Sequence, residues 1–190
     1  MNVFETILNR RTIKDFKPDP VPEELLDRAL TAGLWAQNHN LTQPWSFIVL
    51  GPKSRSALAD LYADLQLPPV KPGLQDARRK KAIVEAKQKI LSKPVIVAIT
   101  YRMEGNRQQL MEDFAATCCA IQNIQLAAWS GGLGMQWSTS SLIHDERIHE
   151  LLKTDPGRED IVGLLFFGYP ARIPEPGIRK SLAEVKRRLD

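Results

Sequence analysis

From Arg107 to Ser130 the chain repeats a helical pattern that is apolar almost all the way round. Ala115, Ala116, Cys118, Cys119, Ala120, Ile121, Ile124, Leu126, Ala127 and Ala128 leave little polar face. A helix without a polar side has to be covered, so this one belongs in the core or at a subunit interface. Its small residues let another backbone come close. Gly131-Gly132-Leu133-Gly134 stops it.

The other elements follow from shorter patterns. The runs 94–100 and 161–167 are nearly continuous apolar stretches and read as central strands. Residues 46–50 and 135–137 read as two further strands. Helices are expected over 3–11, 22–35, 54–65, 76–91, 145–152 and 181–189. Pro22 sits in the first turn of the second, and Ser54 is expected to cap the third. Prolines make 17–21 and 168–177 extended arms and 67–73 an irregular excursion. Helices outnumber strands, and core-type strands lie between them. The fold class is therefore mixed α/β or α+β with one sheet.

A chain of 190 residues, 43% hydrophobic and 25% charged, makes one domain over 1–190 with a real core. Its longest apolar run is too short to span a bilayer, and no charged-apolar-small leader opens it. The adjacent Cys118 and Cys119 offer no disulfide framework and fit a reducing cytoplasm. The net charge of +4 is scattered and mixed with acids, which argues against nucleic acid and is compatible with an anionic cofactor. The basic residues of 76–91 read as a solvated rim.

Two stretches could carry chemistry. Residues 36–50 run as a polar loop, Gln37-Asn38-His39-Asn40-Leu41-Thr42-Gln43, through Pro44-Trp45 straight into a strand. Such a junction aims hydrogen-bonding groups at one place, although solvation alone also makes such loops polar. Arg10-Arg11-Thr12-Ile13-Lys14 ends the first helix and enters a proline-rich arm. It suits a phosphate or another anion, or else a basic helix terminus favoured by the macrodipole. The glycines at 131–134 follow a helix and precede a strand, the reverse of a dinucleotide fingerprint. His144 and His149 lie off one helical face, so no metal site is expected. No Ser-His-Asp or Cys-His arrangement stands out.

Taken in order, Arg10-Arg11-Thr12, the Pro22-led helix, Gln43-Pro44-Trp45-x-Phe47 and the tail Gly168-Tyr169-Pro170-Ala171 resemble the nitroreductase family of FMN-dependent oxidoreductases. The resemblance runs from about residue 4 to about residue 185. It implies a three-layer α+β fold, a mostly antiparallel sheet flanked by helices, and an intertwined homodimer with FMN in two grooves at the interface. It places Arg10, Arg11 and Thr12 on the phosphate and ribityl chain and Lys14 near the pyrimidine edge of the flavin. Gln43 falls in the flavin loop. Trp137, Ser138 and Thr139 form a second flavin turn, and Arg179 is a tail arginine reaching the phosphate. Ala127, Ala128, Trp129, Ser130, Gly131 and Gly132 correspond to a segment used for NADH or NADPH.

The loop departs from the commonest family pattern: Leu41 replaces Asn, and Gln37-Asn38-His39 replaces Pro-Ser-Ala. His39 matches the flavin-contacting histidine of a smaller subgroup. Trp35 stands where that subgroup carries an arginine reaching the partner subunit's flavin. The implied activity is hydride transfer from NAD(P)H through FMN to nitroaromatics, quinones or similar acceptors, with the flavin and no side chain carrying the chemistry. The alternatives are a specialised flavin dehydrogenase on the same fold and a flavin-storage protein without turnover.

Overall fold

The computed structural model describes residues 2–67 and 77–189, which hold one sheet of four antiparallel strands. These are β1 (Trp45–Val49), β2 (Val95–Arg102), β3 (Gly134–Ser138) and β4 (Glu159–Gly168), in the order β1-β2-β4-β3. The two continuous apolar runs occupy the centre, where both faces are covered. On β2, Ile96 and Ala98 face one layer, while Val97 and Ile99 face the other. On β4 the alternation changes phase at Gly163. Ile161 shares a face with Leu164 and Phe166, and Val162 shares the opposite face with Leu165 and Phe167. The cause is a bulge, opposite Ile99 and Thr100.

Helices α3 (Pro52–Gln66), α4 (Ala77–Leu91) and α6 (Arg147–Leu152) cover the first face through Leu58, Leu61, Ile90, Ile148 and Leu152. The second face is covered by α2 (Glu23–Leu34) and α5 (Arg107–Ser130) through Leu26, Ala29, Ile121, Ile124 and Ala128. The architecture is thus α+β in three layers. Gly33 lets α2 lie tight on α5, since a Cβ there would fall 2.7 Å from Ile124 Cγ1. No helix among the described residues is long and apolar enough to cross a membrane.

Several expected boundaries move. The first helix, α1 (Val3–Asn9), stops before Arg10, whose backbone is extended because the chain leaves to join β3. Helix α3 begins at Pro52 after a Gly51 cap, so Ser54 is inside it. Proline at the first helical position costs no hydrogen bond and presets φ. Residues 141–144 form a 3-10 turn, and α6 starts at Arg147, whose N–H bonds Asp145 Oδ1 at 3.0 Å. The closing helix, α7 (Leu182–Val185), is far shorter than 181–189. Everything from 171 to 189 is exposed, so no packing sustains a longer one. The excursion at 67–73 and the start of the basic helix at 76 fall, apart from Leu67, outside the described residues.

The long helix α5 is only half covered by its own chain. Ala116, Ala120, Ile121, Ile124 and Ala128 are in the core, whereas Met111 is 64% and Phe114 46% exposed. On α1, Val3 is 74% and Phe4 70% exposed, so among the described residues its apolar face is also left largely uncovered.

Candidate functional site

Residues 10–17 run beside β3. Thr12 makes a parallel bridge to Met135, Ile13 N–H donates to Met135 O at 3.1 Å, and Lys17 N–H donates to Tyr169 O at 2.8 Å. The Ile13 side chain is fully buried against Gly134, where a Cβ would approach it to 2.6 Å. This pairing, with Lys17 and Asp15 bonded to Tyr169 and Ala171, fixes the backbone that carries Arg10, Arg11, Thr12 and Lys14 at the end of the sheet where Gly134 pairs with Gly168.

The arginines carry an excess of positive charge. Burial, then Arg11, then Arg179 push the Arg10 guanidinium below its ordinary pKa. Arg179 therefore does join the two N-terminal arginines. Arg11 Nη1 donates to Leu8 O and Arg10 O, and Arg179 Nη1 to Ile178 O. Arg10 Nη1 and Arg11 Nε are buried and have no hydrogen-bond partner among the described residues. Among the described residues no carboxylate pairs with any of the three. Buried donors without acceptors are costly, and an anion with several oxygens satisfies them together.

Trp137 is locked. Its Nε1–H donates to Val162 O at 3.2 Å, and the indole occupies the space over Gly163, where a Cβ would come within 2.3 Å of Nε1. What it presents outward is ring surface, not an N–H. Ser138 is half-buried and Thr139 exposed, at the end of β3.

The polar loop is built differently. Asn40, Leu41 and Gln43 have φ of 53°, 51° and 43°, all in the left-handed region. For Leu and Gln that region is strained, on the order of 1–3 kcal/mol each. Asn38 ties the loop to itself: its Oδ1 accepts from Gln43 N at 2.9 Å and its Nδ2 donates to Ala36 O. Thr42 ties it outward. Its hydroxyl donates to Asp113 Oδ1 at 2.6 Å, and its carbonyl accepts from Arg102 Nη2 at 2.7 Å. His39 is exposed and its ring has no partner among the described residues; with Gln37, Asn38, Glu112 and Cys119 it lines a cavity of about 380 Å³.

The expected site residues thus fall into two groups. The arm borders β3 on its outer side and the loop leads into β1, at opposite edges of the sheet, about 19 Å apart at four strand spacings. Along the strands, Thr12 lies level with Met135, Phe167 and Val95, whereas Pro44 pairs with Arg102. That is roughly 23 Å further along.

Trp35 is 83% exposed and lines, with Val3, Thr6, Ala127 and Ser130, a cavity of about 460 Å³. Of the segment expected to meet NAD(P)H, Ala127 and Ser130 reach this cavity. Ala128 does not: its side chain is in the core at 1% exposure. Trp129 is half-buried, Gly131 caps α5, and Gly132 turns the chain at φ 83°.

Sequence reasoning missed Asp113 and Lys93. Asp113 is 3% exposed inside a helix that reads as apolar. One signal was available: it is the last charged residue before an uncharged run to Ile143. Lys93 Nζ donates to Lys14 O at 2.6 Å and lies over the Phe16 and Phe166 rings at 5.2 and 5.8 Å. Nothing in its local sequence marks it.

The profile of the family described as the nitroreductase family matches residues 7–169. The chain is 30% identical over 172 residues to YfhC of Bacillus subtilis, provisionally named an NAD(P)H nitroreductase, covering 90% of this chain and 86% of that protein. Among solved structures, it is similar to a nitroreductase-like family protein from Bacillus cereus. The identity is 27% and the TM-score 0.84, covering 100% of this chain and 97% of that one. A structure from Desulfovibrio desulfuricans, provisionally named a nitroreductase and solved in complex with FMN, shares the fold at TM-score 0.76 and 22% identity. It is covered to 98% by all of this chain.

Proposed function

Because this chain belongs to the nitroreductase family, we propose that it is an FMN-dependent NAD(P)H oxidoreductase acting as a homodimer on nitroaromatics, quinones or similar electron-poor acceptors. The observation that carries this reading is the Arg10, Arg11 and Arg179 cluster, with two buried unpaired donors and no acid. It fits a phosphate monoester, which brings two charges and three acceptor oxygens. Bound there, FMN supplies hydride transfer between the nicotinamide and the acceptor. The chain's own part is to hold and orient. The arginines grip the phosphate, Thr12 and Lys14 follow on the same backbone-pinned arm, and Trp137 offers a fixed ring surface beside Ser138 and Thr139.

The loop with His39, which matches the flavin-contacting histidine of the subgroup, lies at the opposite corner of the sheet and in this reading completes the flavin site of a partner subunit. Phe4 and Val3 on α1, Met111 and Phe114 on α5, Trp35, and the uncovered arm 171–189 with Ile178 and Leu189 supply the apolar surface such a dimer would bury.

The test is direct. The purified protein, loaded with FMN, is titrated anaerobically with NADH and with NADPH while the flavin absorbance is followed. Stoichiometric bleaching by either, restored by a quinone or nitroarene, supports the reading. A protein that binds FMN and is bleached by neither is a flavin carrier, and one that does not bind FMN has the wrong ligand assigned to its arginines.

A further inference from the structure

Among the described residues the fully buried polar side chains are Thr6, Thr100, Thr117, Gln125 and Asp113, and only Asp113 carries an acid. It faces the Thr42 hydroxyl at 2.6 Å, and Thr42 sits between two residues with left-handed backbone, Leu41 and Gln43. A non-glycine stretch does not hold that conformation alone. It persists where its surroundings over-determine it, and here two ties to rigid elements meet at Thr42: its hydroxyl donates to Asp113 on a helix in the core, and its carbonyl accepts from Arg102 at the end of β2.

We infer that Asp113 is the positioning residue of the flavin loop: by accepting the Thr42 hydroxyl it fixes the strained backbone around Thr42 and so sets where His39 and Gln43 meet the cofactor of the partner subunit. The inference rests on the flavin reading above. It differs from a purely structural role in what it predicts. A tie that only stabilises α5 or the loop changes the melting temperature. A tie that positions changes the conformational freedom of residues 39–43 and, through them, the flavin. The carboxyl acts from outside the site, without touching the cofactor, as groups behind the ligands of a built site do.

Three variants separate the cases. Thr42→Val keeps the volume and removes the hydroxyl. Asp113→Ala removes the acceptor, and Asp113→Asn keeps an oxygen in place. Amide hydrogen exchange of residues 39–43 is measured on the apoprotein, and FMN affinity and flavin reduction potential on the loaded protein. The expected result is loop exchange about tenfold faster and FMN about tenfold weaker in Thr42→Val and Asp113→Ala, with the double variant no worse than either. Asp113→Asn retains the loop protection and the affinity. Lowered melting temperatures with loop exchange, affinity and potential all at wild-type values would overturn the inference, as would losses that simply add. Should Asp113→Ala fail to fold, Thr42→Val, at a partly exposed position, decides alone. Should the wild type not bind FMN, the flavin reading falls, and loop exchange in the apoprotein still decides whether Asp113 positions the loop.

Discussion

The arm that carries Arg10 to Lys14 and the loop over 38–43 lie at diagonal corners of one sheet, and they are held by opposite means. The arm is pinned by its backbone, through Thr12 and Ile13 to Met135, Lys17 to Tyr169, and Ala171 N–H to Asp15 O at 3.0 Å. Two of its guanidinium donors, Arg10 Nη1 and Arg11 Nε, are left unsatisfied among the described residues. The loop is pinned by side chains, Asn38 inward and Thr42 to Asp113, and its backbone takes the strain. Backbone pairing leaves charge to spare for a ligand. Side-chain pinning leaves little charge but a defined shape. The first suits gripping an anion and the second suits contouring a ring.

If the two corners serve one site only across a dimer, removing the dimer should have the largest effect. Phe4→Asp places a charge on the uncovered face of α1. Burying it without a partner should weaken association by about 3–5 kcal/mol. Light scattering should then give a monomer at micromolar concentration, where the wild type gives a dimer, and FMN affinity should fall with it. A variant that is monomeric and keeps full FMN affinity would show that one chain makes the site.

Arg10→Ala tests the arm alone. Loss of a charge-assisted phosphate contact should weaken FMN binding by about 1.5–3 kcal/mol, roughly a factor of ten to a hundred, with little change in the apoprotein. A co-expressed mixed dimer sharpens the comparison. One chain carries Arg10→Ala with Arg11→Ala, and the other carries His39→Ala with Gln43→Ala. If each site takes its arm from one chain and its loop from the other, titration with FMN shows a wild-type phase and a strongly weakened one. If arm and loop of a site belong to the same chain, no wild-type phase appears.

A smaller effect is expected for His39→Ala. The exposed ring has no partner among the described residues, so the apoprotein melting temperature should not move. FMN affinity should fall by about 0.5–1.5 kcal/mol, the usual worth of a neutral hydrogen bond, or the reduction potential should shift. A lowered apoprotein melting temperature with unchanged affinity and potential would make His39 a loop tie.

The same contrast explains what could be read from the sequence. The arm was legible because prolines at 18 and 20 forbid helix and paired arginines announce charge. The central strands were legible as apolar runs, and the end of α5 as glycines. The start of α3 failed because Pro52, with its φ preset, opened the helix ahead of the better hydroxyl cap. The loop's conformation was illegible. Leu41 and Gln43 give no glycine signal for positive φ, and what holds them comes from Asp113 on a helix far away in sequence. Tertiary contacts override local preference there, and a single sequence does not display them. Half of α5 being uncovered was also illegible, since an apolar surface looks the same in a core as at an interface.

The smallest effect is expected where the arm borrows from the loop's strategy. Lys93 is a side chain that pins the arm's backbone from outside it, through Lys14 O, and burial pushes its ammonium below its ordinary pKa while Asp15 pulls the other way. Near neutral pH, Lys93→Met removes one charged hydrogen bond and contacts with two rings but relieves the desolvation. These offset to within about 1 kcal/mol in either direction. The dependence on pH gives the sign. The folded pKa lies below the unfolded value, so between the two the unfolded chain binds more protons, and stability rises as pH climbs through that window. The contribution is fully present above the unfolded pKa and lost as pH falls through the folded one. Lys93→Met lacks it, so the variant should lose ground to the wild type as urea unfolding is carried from pH 8 towards the ordinary lysine pKa of about 10.4. A difference that stays constant over that range would mean that Lys93 titrates as a solvated lysine, and the arm would then be held by its backbone alone.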